Sequence, residues 1–112
     1  MTKTYVLFAA QHEVPQNDGA LCSDFDFVNF SVVKTENWEA ALKFLHKSDS
    51  EVKIIVTGLT PALTEFITAA VKKCNYGEVV DTNYCDVYQL GRLVLLHWDK
   101  SNNDYREQVI WG

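Results

Sequence analysis

Residues 52–74 read VKIIVTGLTPALTEFITAAVKKC. The first six, Val52–Thr57, form a β-branched apolar run, too short for a buried helix and well suited to a strand. Gly58, Leu59 and Thr60 then make a tight turn. From residue 61 to 75 the apolar residues Leu63, Phe66, Ile67, Ala70 and Cys74 recur at helical spacing. Thr60 suits the N-cap. Pro61 suits the first helical position, where the amide that proline lacks has no intrahelical partner in any case. A strand that turns through glycine into a helix is half of a β-α-β unit.

The same pattern recurs upstream. Residues 37–47, NWEAALKFLHK, place Trp38, Ala41, Leu42 and Leu45 on one face. Asn37 or Thr35 can cap this helix, and Glu36 and Glu39 suit its positive end. Thr4–Gln11 reads as a buried first strand. His12–Ser23 is polar and turn-rich, the longest irregular stretch. Phe27–Lys34 alternates Val28, Phe30 and Val32 with Asn29 and Ser31, which predicts a half-covered strand. Downstream, Gly77 is a natural helix stop, Val79-Val80 a short strand or connector, and Asp81-Thr82-Asn83 a turn. Val87–Trp98 predicts a long central strand with a bulge or break at Gly91. Asp99–Asp104 is a turn, and Tyr105–Trp111 its antiparallel partner strand.

These elements predict a single α/β domain over residues 1–112. Its small mixed sheet would have about five strands and two helices: a parallel β-α-β-α-β core plus a C-terminal antiparallel hairpin. If both crossovers step the same way, both helices cover one face. The other face would then be bare, or covered by a second subunit. Alternatively the second crossover reverses and opens a switch-point crevice. Trp98, Tyr105 and Trp111 favour self-association, so a homodimer is expected.

Ten bases against fifteen acids give a net charge of −5. A nucleic-acid polymer needs a basic face, and no such cluster exists, so that partner is not expected. Glu13, Asp18, Asp24 and Asp26 form a local acidic excess that would suit a basic protein partner. Three cysteines, Cys22, Cys74 and Cys85, are odd in number and widely spaced. They outline neither a disulfide framework nor a zinc site, and no metal or cofactor is expected. Cys22 falls in loop-like sequence, where a reactive thiol is open but not indicated. No apolar run is long enough to span a bilayer and the N-terminus lacks a secretory pattern, which together predict a cytoplasmic protein.

The candidate ligand site is the 57–61 turn. Free amides and the dipole at a helix start favour a phosphate or carboxylate, Gly58 leaves room for it, and Thr57 and Thr60 add hydroxyls. The same residues also fit simple capping, since Walker A and G-x-G-x-x-G spacings are absent. If the first strand lies parallel to Val52–Thr57, Gln11 and His12 reach the same edge. Gln11, Thr57, Gly58, Leu59 and Thr60 are therefore the expected ligand-binding residues, and His12 the expected acid or base of any catalysis. The function expected is binding of a nucleotide or other phosphate-bearing anion, as a sensor, a sponge or, by analogy of fold alone, a ring-nuclease-like protein. The alternative is an acidic interaction or inhibitor protein with no small ligand. Whether any reaction follows binding is not written in these residues.

Overall fold

A computed structural model describes residues 1–9, 14–58, 60–76 and 91–111. Six strands and two helices follow one another as β1 Thr2–Phe8, β2 Ala20–Asp26, β3 Ser31–Lys34, α1 Glu36–Leu45, β4 Glu51–Ile55, α2 Thr60–Tyr76, β5 Arg92–Asp99 and β6 Asp104–Trp111. They form one mixed sheet in the order β3-β2-β1-β4-β5-β6. β2, β1, β4 and β5 run parallel, and β3 and β6 close the two ends as antiparallel hairpin partners. The expected parallel core and C-terminal hairpin are therefore present.

The strand count is six because β2 lies where an irregular stretch was expected. Asp24 and Asp26 are poor strand formers, and a register shift between Cys22 and Asp24 breaks the two-residue alternation. Leu21, Cys22 and Phe25 are nevertheless buried. The expected strand Phe27–Lys34 is shorter by half. Residues 27–30 form a turn, and only Ser31–Lys34 pair. The Asp26 carboxylate accepts bonds from the amides of Val28 and Asn29 and from the Asn29 side chain. Those local bonds outcompete a sheet ladder.

Both helices lie on one face of the sheet, as one of the alternative readings has it. Trp38 of α1 meets Phe66 of α2 edge to face at 5.1 Å between ring centres. Both rings join Tyr5, Leu7, Val52, Ile54, Leu93 and Leu95 in a single core. Thr35 caps α1, its hydroxyl accepting the Asn37 amide at 3.1 Å. On the opposite face Val6, Ile55 and Val94 are also buried. Toward the amino ends of the strands that face carries charges, where Lys53 binds Glu107 at 2.6 Å and Arg92 approaches Glu51 at 3.5 Å.

Gly91 immediately precedes β5, and the expected strand residues on its other side, 87–90, lie outside the described residues. A Cβ there would lie 2.7 Å from the Ser50 carbonyl and 2.8 Å from that of Lys47, so glycine is required by close approach. Its amide donates to the Leu45 carbonyl, and the Trp111 indole donates to its own. The expectations for Gly77, Val79-Val80, Asp81–Asn83, residues 87–90 and Cys85 lie outside the described residues, as does the side chain of Cys74.

Candidate functional site

β1 and β4 are adjacent and parallel, with Val6 opposite Ile55. The chain leaves β1 for β2 on one side and β4 for β5 on the other. Connections that diverge from neighbouring parallel strands leave an opening beyond their carboxyl ends, the usual place for a ligand in an open α/β sheet. The two segments singled out from the sequence follow these two strands. Residue 9 follows β1, and residues 56–58 follow β4. Gln11, His12 and Leu59 lie outside the described residues.

Thr57 holds the edge together. Its hydroxyl donates to the Phe8 carbonyl at 2.6 Å and accepts the Phe8 amide at 3.0 Å. With its one proton so used, it is a structural bridge between β1 and β4 rather than a free donor for an anion. Gly58 takes φ +93°, a left-handed conformation natural to glycine, and among the described residues a Cβ built on it would meet nothing within 4 Å. Thr60 is the first helical residue rather than the residue before the helix. Its amide donates to the Gly58 carbonyl at 2.7 Å, and Pro61 has no amide to offer. Any anion at this turn must therefore use other amides of the turn and the helix dipole.

A groove of about 410 Å³ opens beside the turn, between Phe30 and the outer face of α2. Thr60, Pro61, Thr64, Glu65 and Thr68 form its helical wall. This feature was not foreseen, because Phe30 was assigned to a covered strand. The signal lay in Asp26 and Asn29, a turn-forming pair at the residues flanking Phe27 and Val28.

His97 and Cys22 sit elsewhere. The half-buried His97 places Nε2 2.7 Å from Gln108 Oε1 in an exposed hydrogen bond across the β5–β6 hairpin. Cys22 is buried and donates its thiol to the Leu7 carbonyl at 3.0 Å. Burial, with a smaller effect of Asp24, raises its pKa, so it is an inert core thiol rather than the reactive loop cysteine that was left open. Among the described residues no group of His, Cys, Asp and Glu has the arrangement of a metal site. Among the described residues no helix is long and apolar enough to cross a membrane. Comparison with protein-family models, with curated proteins and with solved structures finds no match. Fold and edge together define a small mixed-sheet α/β domain with an open carboxyl edge.

Proposed function

We propose that the chain is a small-ligand-binding module whose ligand, a nucleotide or other phosphate-bearing anion, sits over Gly58 between the carboxyl ends of β1 and β4. One observation carries this reading: β1 and β4 are adjacent and parallel, their next strands lie on opposite sides, and among the described residues nothing comes within 4 Å of a Cβ built on Gly58, just before α2. The helix start supplies positive potential to an otherwise acidic protein. Gln11, Leu59 and Thr60 complete the proposed contacts, with Thr57 as the bridge that fixes the edge. If binding leads to reaction, His12 is the proposed acid or base. The module is proposed to act in the cytoplasm as a homodimer, without a metal or cofactor.

The test is a thermal-shift screen of inorganic phosphate, mononucleotides and cyclic nucleotides on the whole chain, repeated on Gly58→Glu. A ligand that binds only the folded state at a hundredfold excess over its Kd adds about 2.7 kcal/mol of stability. That is a rise of several degrees, and it is expected to vanish in Gly58→Glu. If none of these anions shifts the melting temperature, the reading fails. Product analysis of a bound nucleotide separates a sensor or sponge from an enzyme.

A further inference from the structure

The two hairpin turns of this sheet are built alike. In the second, Asp99 accepts the amides of Ser101 and Asn102 and the Asn102 side chain, and Asn103 follows at φ +51°. In the first, Asp26 accepts the amides of Val28 and Asn29 and the Asn29 side chain, and Phe30 follows at φ +52°. The backbone solution is the same and the side chains are not. Lys100, Ser101 and Asn103 of one turn are matched by Phe27, Val28 and Phe30 of the other.

The turn itself does not ask for those apolar residues. Asparagine tolerates the left-handed region, and phenylalanine is strained there. Water does not ask for them either: Phe27 is 65% exposed, Val28 93% and Phe30 68%. Phe25 supports both rings from below, with edge-to-face contacts at 4.7 Å to Phe27 and 5.0 Å to Phe30. The tip is thus a firm apolar knob, and Phe30 continues it into the groove against α2. Contiguous apolar surface of this kind marks a contact with another molecule.

The charge around it selects the partner. Asp24 and Asp26 underlie the tip and Glu65 lines the groove. Neither 14–33 nor 60–71, the two segments that form the surface, contains a Lys, Arg or His. The Thr64 hydroxyl donates its proton to the Thr60 carbonyl at 3.1 Å, leaving acceptor capacity on a groove wall. Exposed phenyl faces attract cations, and guanidinium most readily. The two sites share Thr60 at the start of α2, but Glu65, in the next turn of the helix, favours a cation on the groove side.

We infer that the Phe27–Phe30 tip and the adjoining face of α2 form a docking surface for an arginine-bearing, partly apolar segment of a partner protein. Guanidinium groups lie over Phe27 and Phe30 and reach Glu65 and Thr64, while an aliphatic side chain covers Val28.

The probe is a short synthetic peptide alternating arginine and leucine, added to the whole ¹⁵N-labelled chain and followed by amide shifts and calorimetry. Its control replaces arginine by glutamate. Phe30→Asn copies the second turn. The strain it relieves and the ring contact it removes are of similar size and nearly offset, so the variant folds. Shifts confined to residues 26–31 and 60–68, no binding of the glutamate peptide, and about tenfold weaker binding in Phe30→Asn support the proposal. Glu65→Gln is expected to weaken binding as well, and Asp49→Asn, a distant acid, to leave it unchanged. The proposal is overturned if the shifts scatter or centre on Gly58, if the glutamate peptide binds equally, or if Phe30→Asn binds like the parent. It is also overturned if Phe30→Asn turns a self-associated chain into a monomer, because a second copy is then the occupant. None of these outcomes depends on whether phosphate binds at Gly58.

Discussion

Thr57 is a polar residue whose value lies in both directions of one hydroxyl. It closes the gap between the last pair of β1 and the exit of β4 by donating to and accepting from Phe8. Removing the hydroxyl without changing the shape strands a half-buried amide and carbonyl, at about 1–3 kcal/mol. Thr57→Val is therefore expected to lower the unfolding free energy by that amount, read as a lower urea midpoint at unchanged slope, and Thr57→Ser to retain most of it. Equal midpoints for Thr57→Val and the parent would show that the bridge is not holding the edge. The two turn aspartates give a pH prediction. Asp26 is held below the ordinary carboxylate range chiefly by the Asn29 side chain, and Asp99 by the Asn102 side chain and then Arg106. A depressed pKa favours the folded state above the ordinary range, and that contribution disappears as pH falls through the folded value. A carboxyl NMR titration is expected to place both below 3.8, the usual aspartate value. Asn29→Ala is expected to return Asp26 toward it while leaving Asp99 alone. At this scale the sequence was only partly legible. Thr57 and Gly58 stand out as residue types, but which partner a threonine hydroxyl chooses is decided by the neighbouring strand.

Elements were readable where periodicity and capping agree. The 61–75 helix and the 37–47 helix were found within two residues at each end, because their stripes, caps and first-turn residues all point the same way. Residues 20–34 failed for the opposite reason. Val28, Phe30 and Val32 alternate like a buried strand face, yet two of the three lie in an exposed turn. Asp99–Asp104 was recognised as a turn because its side chains are polar; Asp26–Ser31 makes the same turn with apolar ones. Hydrophobic pattern misled there because it records what needs burial, and this tip is not buried by its own chain. Gly91 was read as a bulge, since a lone glycine beside a strand does not reveal whose backbone approaches it. The seat of β5 against residues 47–50 supplies that reason. Gly91→Ala forces a methyl against two carbonyl oxygens, and overpacking of this kind costs about 1–3 kcal/mol. A melting-temperature loss in Gly91→Ala, with the far-UV spectrum kept, is the expected result. An unchanged melting temperature would mean that β5 enters the sheet with room to spare.

The whole molecule is a slab, with extents of 47 × 34 × 20 Å. Two helices on one face of a six-stranded sheet have that shape. Among the described residues β6 is the longer of the two edge strands, eight residues from Asp104 to Trp111, and its outward hydrogen-bonding groups face no further strand. Beside it Val109 is 47% exposed and Trp98 51%, with Trp98 stacked edge to face on Tyr105. Arg106 and Glu107 keep this edge soluble, yet each already has an internal acid or base as partner. A symmetric pairing of β6 with β6 would not need to strip either of an unpaired charge. The proposed homodimer is therefore expected to join two slabs through this edge. Sedimentation of the whole chain over a range of concentrations should then show a dimer. Val109→Lys, which sets like charges near each other across the two-fold, should return it to a monomer. A parent chain that sediments as a monomer throughout refutes the dimer, and a dimer that survives Val109→Lys removes β6 as its interface. Phe30→Asn, at the opposite end of the sheet from β6, is expected to leave that dimer intact.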